Sequence, residues 1–339
     1  MRTYIKTGLF FLHKRIKVIG KENIPKKGAV IFIGNHQNAL IDAILIPTTN
    51  NRNIHFLARA AAFKNKPISS FLTSLNMIPV YRIRDGFKKV EKNIEIFEKC
   101  VELLKKGKAI EIFAEGQHHL FRRIMPLKKG FARIITSTLK KHPDLEIQIV
   151  PVGINYDSRL KFPASVSIHY GKPILANNFI NIEKPDPKFS KIMCEVSNAL
   201  KGLTLHVDDL KNYNTIISKA NSLNVDFTNP IEANTIVKNI EKSKVKPSTK
   251  KINWFLPLHI ITKINSAFPL LIWNYLKPKI TEVIFMNTYR FALILTIFPL
   301  FYLIQTGILG YIFNSTVALC YLVITILLAI ITSKTSPIN

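Results

Sequence analysis

His36 and Asp42 are the residues of this sequence best suited to moving a proton. They lie in Gly34-Asn35-His36-Gln37-Asn38-Ala39-Leu40-Ile41-Asp42, which follows the apolar run at 29–33. A carboxylate that accepts the proton of one imidazole nitrogen fixes the tautomer. It also stabilises the imidazolium formed when the other nitrogen takes a proton. The pair brings no serine or cysteine nucleophile of its own, so it suits activation of a hydroxyl belonging to a substrate. On one continuous helix Asp42 would stand about 240° around the axis from His36, at 3.6 residues per turn. The two meet only if His36 precedes the helix and the chain turns between them. A structural histidine at a strand end shows the same spacing, so the pair alone leaves both readings open.

Three further segments sit at the ends of expected strands, where loops on a rigid scaffold favour chemistry. Ile78-Pro79-Val80-Tyr81-Arg82, with Arg84 close behind, offers a guanidinium for a bidentate phosphate contact. In so basic a chain Arg82, taken alone, reads as a surface residue. Ile112-Phe113-Ala114-Glu115-Gly116-Gln117-His118-His119 holds a Glu-Gly turn that aims a carboxylate and backbone N–H groups into a cleft. His118 and His119 do not complete a metal-ligand set of known spacing, so no metal is expected. Lys128, near the start of the helix expected at 130–141, is placed to assist phosphate binding. The fourth segment, 149–156, offers no titratable catalyst and reads as a strand entering the cleft floor.

The elements that position these residues alternate. Runs at 29–33, 54–58, 109–113, 147–152 and 166–170 read as strands. Val90, Ile94, Phe97, Val101 and Leu104 recur at helical spacing, and Gly107 stops that helix. Strand–helix alternation predicts an α/β fold, a mixed sheet flanked by helices.

Beyond Glu282 the only charged side chains are Arg290 and Lys334. The uncharged stretch 291–331 is long enough for two spans of about 20 residues each. Gly307, Gly310, Asn314 and Ser315 mark the turn of a hairpin of helices at about 291–309 and 315–332. Both flanking cations then lie on one side, which the positive-inside rule makes cytoplasmic. The stretch 252–276 carries His259 and Lys263 and is broken by Pro257 and Pro269, so it reads as interfacial or re-entrant. The expected organisation is an N-terminal amphipathic segment at 1–20, a catalytic domain at 21–235, a basic linker at 236–251, an interfacial or re-entrant segment at 252–284 and a membrane anchor at 285–339. The N-terminal segment has too short an apolar stretch for a secretory signal. It reads either as a helix on the membrane surface or as one packed on the domain.

The 48 Lys and Arg against 21 Asp and Glu give a net charge of +27. That field favours anionic lipid, nucleic acid or an acidic protein. The lysines are scattered rather than clustered among exposed aromatics, so nucleic acid is not expected as a partner. Cys100, Cys194 and Cys320 are far apart and odd in number, which argues against a disulfide framework.

In order along the chain, the four segments resemble the four motifs of the glycerolipid acyltransferase family, over roughly residues 15–175. N-H-Q-N-A-L-I-D is similar to the family's His-Asp motif, which implies base and orienter roles for His36 and Asp42. I-P-V-Y-R implies that Arg82 holds an acceptor phosphate. F-A-E-G, where the family usually has F-P-E-G, implicates Glu115 and Gly116 in the acceptor site, and V-P-V implicates Pro151. The five residues between His36 and Asp42, where the commonest form has four, resemble a subgroup acting on glycerol-3-phosphate or dihydroxyacetone phosphate. The glycine that usually opens the second motif is missing, and so is the arginine that usually follows the third; Arg122 or Arg123 is placed to supply that charge. The resemblance implies acyl transfer from acyl-CoA or acyl carrier protein to glycerol-3-phosphate or 1-acylglycerol-3-phosphate. It implies no metal or redox cofactor; the flanking cations, by the positive-inside rule, place the catalytic domain on the cytoplasmic face of a membrane. Two other readings remain at this level: an acyltransferase for another lyso-lipid such as a lyso-aminolipid, and a non-catalytic membrane-surface binding protein.

Overall fold

The computed structural model describes the chain except residues 82–90, 92, 182–185, 187–188, 243–252 and 338–339. Helix α1 (Arg2–Leu12) passes directly into strand β1 (His13–Ile19). Then come β2 (Ala29–Gly34), α2 (Ala39–Thr49), β3 (Ile54–Arg59), α3 (Lys66–Ser74) and β4 (Met77–Val80). The chain continues through α4 (Asn93–Lys105), β5 (Ala109–Ile112), α5 (Gly130–Lys141), β6 (Ile147–Tyr156), β7 (Ala164–Tyr170) and β8 (Ile174–Leu175). Helices α6 (Ser190–Leu203), α7 (Tyr213–Ser222) and α8 (Pro230–Lys238) complete the part before the apolar tail.

The strands form one mixed sheet in the order β1-β7-β6-β2-β5-β3-β4, with β8 beside the start of β6. Strands β2 to β6 run parallel, and β7 turns back antiparallel on β6. A strand covered on both faces needs no polar alternation, and every residue of β2 is buried. Val30 and Phe32 face α1 and α2, while Ile31 and Ile33 face α4, α5 and α6. Helix α5 shows the amphipathic logic: Phe131, Ala132, Ile134, Ile135 and Leu139 are buried, and Lys140 and Lys141 complement the dipole at its last turn. Because β5 inserts between β2 and β3, the carboxyl ends of β2, β5 and β6 lie side by side. That is where an open α/β sheet forms a crevice.

Residues 13–19 are not part of the N-terminal helix but an edge strand paired in parallel with β7. Its alternation of Arg15 and Lys17 with Ile16 and Val18 suits a half-exposed strand. Helix α1 packs on the core through Ile5, Leu9 and Leu12. The expected basic linker begins inside α8, and most of it, like Arg82 and Arg84, lies outside the described residues.

The tail opens with α9 (Leu256–Asn265) and α10 (Ala267–Leu276), apolar helices bent 81° from each other. The first long apolar stretch, Val283–Ile312, contains α11 (Met286–Leu295) and α12 (Ile297–Ile312), and the second is α13 (Ser315–Thr335). At 30 and 21 residues, with mean hydropathy 2.0 and 2.4, both meet the length and composition of a span. Helix α9 runs against α13 through side-chain hydrogen bonds: His259 to Thr335 at 2.8 Å, Thr332 to Thr262 at 2.9 Å and Tyr321 to Asn265 at 2.9 Å. The far end of the hairpin returns to the sheet, where Lys334 Nζ donates to the carbonyl of His13 at 2.7 Å.

Candidate active site

Strand β2 ends at Gly34, paired with Val152 of β6. Asn35 continues the pairing with its side chain. Its Nδ2 donates to Ile154 O at 3.0 Å and its Oδ1 accepts from Ile154 N at 2.7 Å. The backbone is thereby free to turn, and it does so through His36 to Asn38. Ala39, at φ +40°, opens α2 in the left-handed region. Asp42 lies in the first turn of that helix and is fully buried. The turn that the spacing required brings His36 Nδ1 to 3.0 Å from Asp42 Oδ2.

Four donors converge on this carboxylate. Oδ2 also accepts from the backbone N–H groups of Gln37 and Asn38, at 2.7 and 2.6 Å. Oδ1 accepts from the phenol of Tyr156 at 2.7 Å. A buried carboxylate is tolerated only when its lone pairs are satisfied in this way. With Nδ1–H directed at the carboxylate, Nε2 of His36 is left as the acceptor. The ring stacks on Phe113 at 4.2 Å between centroids, and its side chain is 15% exposed. Gly34 makes room for that stack, since a Cβ there would stand 3.0 Å from the Phe113 ring.

Tyr156 closes the segment read as offering no titratable catalyst, and it supports the pair. Burial, then the neighbouring Asp42 carboxylate, holds its phenol well above the ordinary value of 10, so it remains a proton donor to Asp42. The sequence signal was a tyrosine ending a mostly apolar strand, since a buried phenol needs a polar partner.

Glu115 is buried and committed to its own loop. Its Oε2 lies 2.7 Å from His119 Nε2, and its Oε1 accepts from Met125 N at 3.3 Å. The N–H of His119 donates to His36 O at 3.2 Å, which fastens this loop to the one that carries His36. Gly116 adopts φ +71°, and a Cβ there would stand 3.0 Å from the stem of Lys128. Pro151, expected at the acceptor site, is buried in β6 beside Ile33 and against Gly171. The strand contacts the His-Asp pair through Tyr156, five residues further on, because the parallel register leaves Pro151 inside the sheet. Arg122 is also spent on the fold. Its guanidinium donates to Tyr156 O and Asp157 O at 2.9 Å each and lies 3.7 Å from the Phe227 ring centroid. Desolvation lowers its pKa to about 9. Arg123, by contrast, keeps Nε and Nη1 buried without a hydrogen-bond partner.

Residues 15–155 match the family model described as Acyltransferase. The chain is 29% identical over 285 residues to glycerol-3-phosphate O-acyltransferase 1 of Saccharomyces cerevisiae, covering 58% of this chain and 38% of the yeast protein. It is 30% identical over 120 residues to the 1-acyl-sn-glycerol-3-phosphate acyltransferase of Bacillus subtilis, covering 35% of this chain and 55% of that protein. The chain thus spans little more than half the length of the Bacillus relative and less than half of the yeast one. Among solved structures, the 1-acyl-sn-glycerophosphate acyltransferase PlsC of Thermotoga maritima aligns with TM-score 0.44 and 22% identity, over 59% of this chain and 75% of that one. His36, Asp42 and Glu115 all fall inside residues 15–155, the segment of this chain that is similar to the Acyltransferase family model.

Proposed function

We propose that this protein transfers a fatty acyl group from an acyl thioester, acyl-CoA or acyl carrier protein, to the hydroxyl of glycerol-3-phosphate or of 1-acylglycerol-3-phosphate. The observation that carries the reading is the 3.0 Å contact between His36 Nδ1 and a buried Asp42 held by three other donors. Nε2 of His36 takes the proton of the acceptor hydroxyl as its oxygen attacks the thioester carbonyl. The new C–O bond forms, the tetrahedral oxyanion collapses, and the C–S bond breaks. The imidazolium, stabilised by Asp42, returns its proton to the departing thiolate. Lys128, beside Gly116, is assigned to the acceptor phosphate together with Arg82.

Glycerol-3-phosphate is the first choice of acceptor. The alignment with a yeast protein named for that acceptor covers 58% of this chain, against 35% for the Bacillus protein named for the 1-acyl form. The spacing of His36 and Asp42 favours the same subgroup. A net charge of +27 attracts the phosphate-bearing acceptor, the acyl donor and anionic lipid. With Arg290 and Lys334 at one end of the hairpin, the domain is assigned to the cytoplasmic face.

The test is purified full-length protein in lipid nanodiscs with labelled acyl-CoA or acyl carrier protein. Acceptors are glycerol-3-phosphate, 1-acylglycerol-3-phosphate and a lyso-aminolipid, with products identified by mass spectrometry. Acylated glycerol-3-phosphate is expected, with loss of about 10²- to 10⁴-fold in His36→Ala. Full activity in His36→Ala overturns the mechanism, and acylation of the lyso-aminolipid alone overturns the choice of acceptor.

A further inference from the structure

The segment that joins the bent helix pair to the first long apolar helix reaches the catalytic crevice. Glu282 Oε2 lies 3.3 Å from His118 Nε2. The ring of Phe285 meets His118 edge-on at 5.4 Å, and His118 meets His36 edge-on at 5.5 Å. Phe113, His36, His118 and Phe285 therefore form one unbroken row of rings, from the end of β5 to the foot of the membrane anchor.

This foot is anchored to the loop that follows β6. Asn287, buried, donates from Nδ2 to Arg159 O at 2.9 Å, and Arg290 Nη1 donates to Leu160 O at 2.6 Å. The Arg290 guanidinium also lies 4.9 Å from the Trp273 ring of α10. The same loop begins one residue after Tyr156, the donor to Asp42. Two separate routes thus connect the membrane helices to the His-Asp pair, one through the backbone of β6 and one through His118.

We propose that Glu282 and His118 form a positioning relay in which the foot of the membrane anchor supplies one wall of the catalytic crevice. Glu282 orients the imidazole of His118, and His118 packs beside the ring of His36. His118 and Glu282 are positioning residues; neither takes the substrate proton. The anchor then does more than hold the enzyme at a bilayer, because its insertion sets the wall against which the acceptor hydroxyl is placed. The relay rests on the reading of His36 as the base, whereas the contact itself does not.

The experiment is a double-mutant cycle on the full chain in nanodiscs, with Glu282→Ala, His118→Ala and both together. The expected result is a fall in kcat of roughly 3- to 10-fold for each single variant, with the double variant no worse than His118→Ala. Glu282→Gln, which keeps an acceptor oxygen, is expected to retain most of the rate. Multiplicative losses in the double variant, or full activity in Glu282→Ala, overturn the relay. A second readout needs no turnover: carbethoxylation of His36 and His118 by diethyl pyrocarbonate, followed by peptide mass spectrometry. Glu282→Ala is expected to speed modification of both histidines about 3-fold or more, with His55 unchanged as the control for intact folding. Unchanged labelling of His118 overturns the relay. Faster labelling in a protein that acylates none of the acceptors supports the contact and defeats the functional reading instead.

Discussion

Tyr156 donates its phenolic proton to Asp42 Oδ1 at 2.7 Å, on the opposite carboxylate oxygen from the one that holds His36. The two residues are 114 positions apart, and the bond exists because β6 lies directly beside β2. A hydrogen bond to a charged group contributes about 1.5–3 kcal/mol. Tyr156→Phe is therefore expected to lower kcat about 10-fold with little change in acceptor KM, as measured by steady-state acyl transfer.

Asp42→Asn separates charge from shape. The substituted side chain would still fill the site, but an amide cannot stabilise the imidazolium and would turn an N–H toward donors that now meet a carboxylate. We expect kcat to fall by about 10³-fold or more, as when the orienting carboxylate of a triad becomes an amide. Near wild-type secondary structure by circular dichroism would show that the loss is catalytic.

Asn35 carries a structural load distinct from catalysis. Its side chain satisfies both backbone groups of Ile154 at the point where β2 has ended. Asn35→Ala leaves a buried N–H and a buried carbonyl unpaired, at a cost of about 2 kcal/mol or more. A lower midpoint of thermal unfolding in detergent, by intrinsic fluorescence, is the expected outcome.

Glu111 predicts a pH dependence. It is fully buried on β5, neither carboxylate oxygen has a hydrogen-bond partner, and desolvation followed by the field of Asp42 holds its carboxyl well above 4.5. The folded state thus retains a proton that the unfolded chain releases near 4.5. The unfolded state binds fewer protons above that point, so this group makes stability fall as pH rises from about 4.5 toward its raised folded value. Glu111→Met is expected to stabilise the protein by about 1–3 kcal/mol at pH 7. The gain should shrink as pH falls toward 4.5, which thermal unfolding across a pH series measures.

The elements were legible where one local rule dominated. The apolar run at 29–33 could only be a strand covered on both faces, and 291–331 held no charge to keep it in water. The amphipathic spacing of α5 was equally plain. Residues 13–19 were not, since a half-exposed edge strand that follows a helix without a break alternates charge and apolar side chains, much as a short amphipathic helix does. Their strand state is decided by pairing with β7.

The candidate site divides along the same line. Sequence alone singled out the candidate pair, His36 and Asp42, and required that a turn separate them, because six residues on a helix put two side chains on different faces. It could not show what holds Asp42, what ends β2, or what packs beside the ring of His36. Those answers are Tyr156, Asn35 and His118 with Glu282, whose partners lie 114, 119 and 164 positions away in the chain. Local sequence fixes elements through backbone sterics and periodicity, which act over a few residues. Only the sheet order, with β5 and β6 on either side of β2, and the return of the apolar C-terminal helices to the loop after β6 bring such distant groups within hydrogen-bond reach.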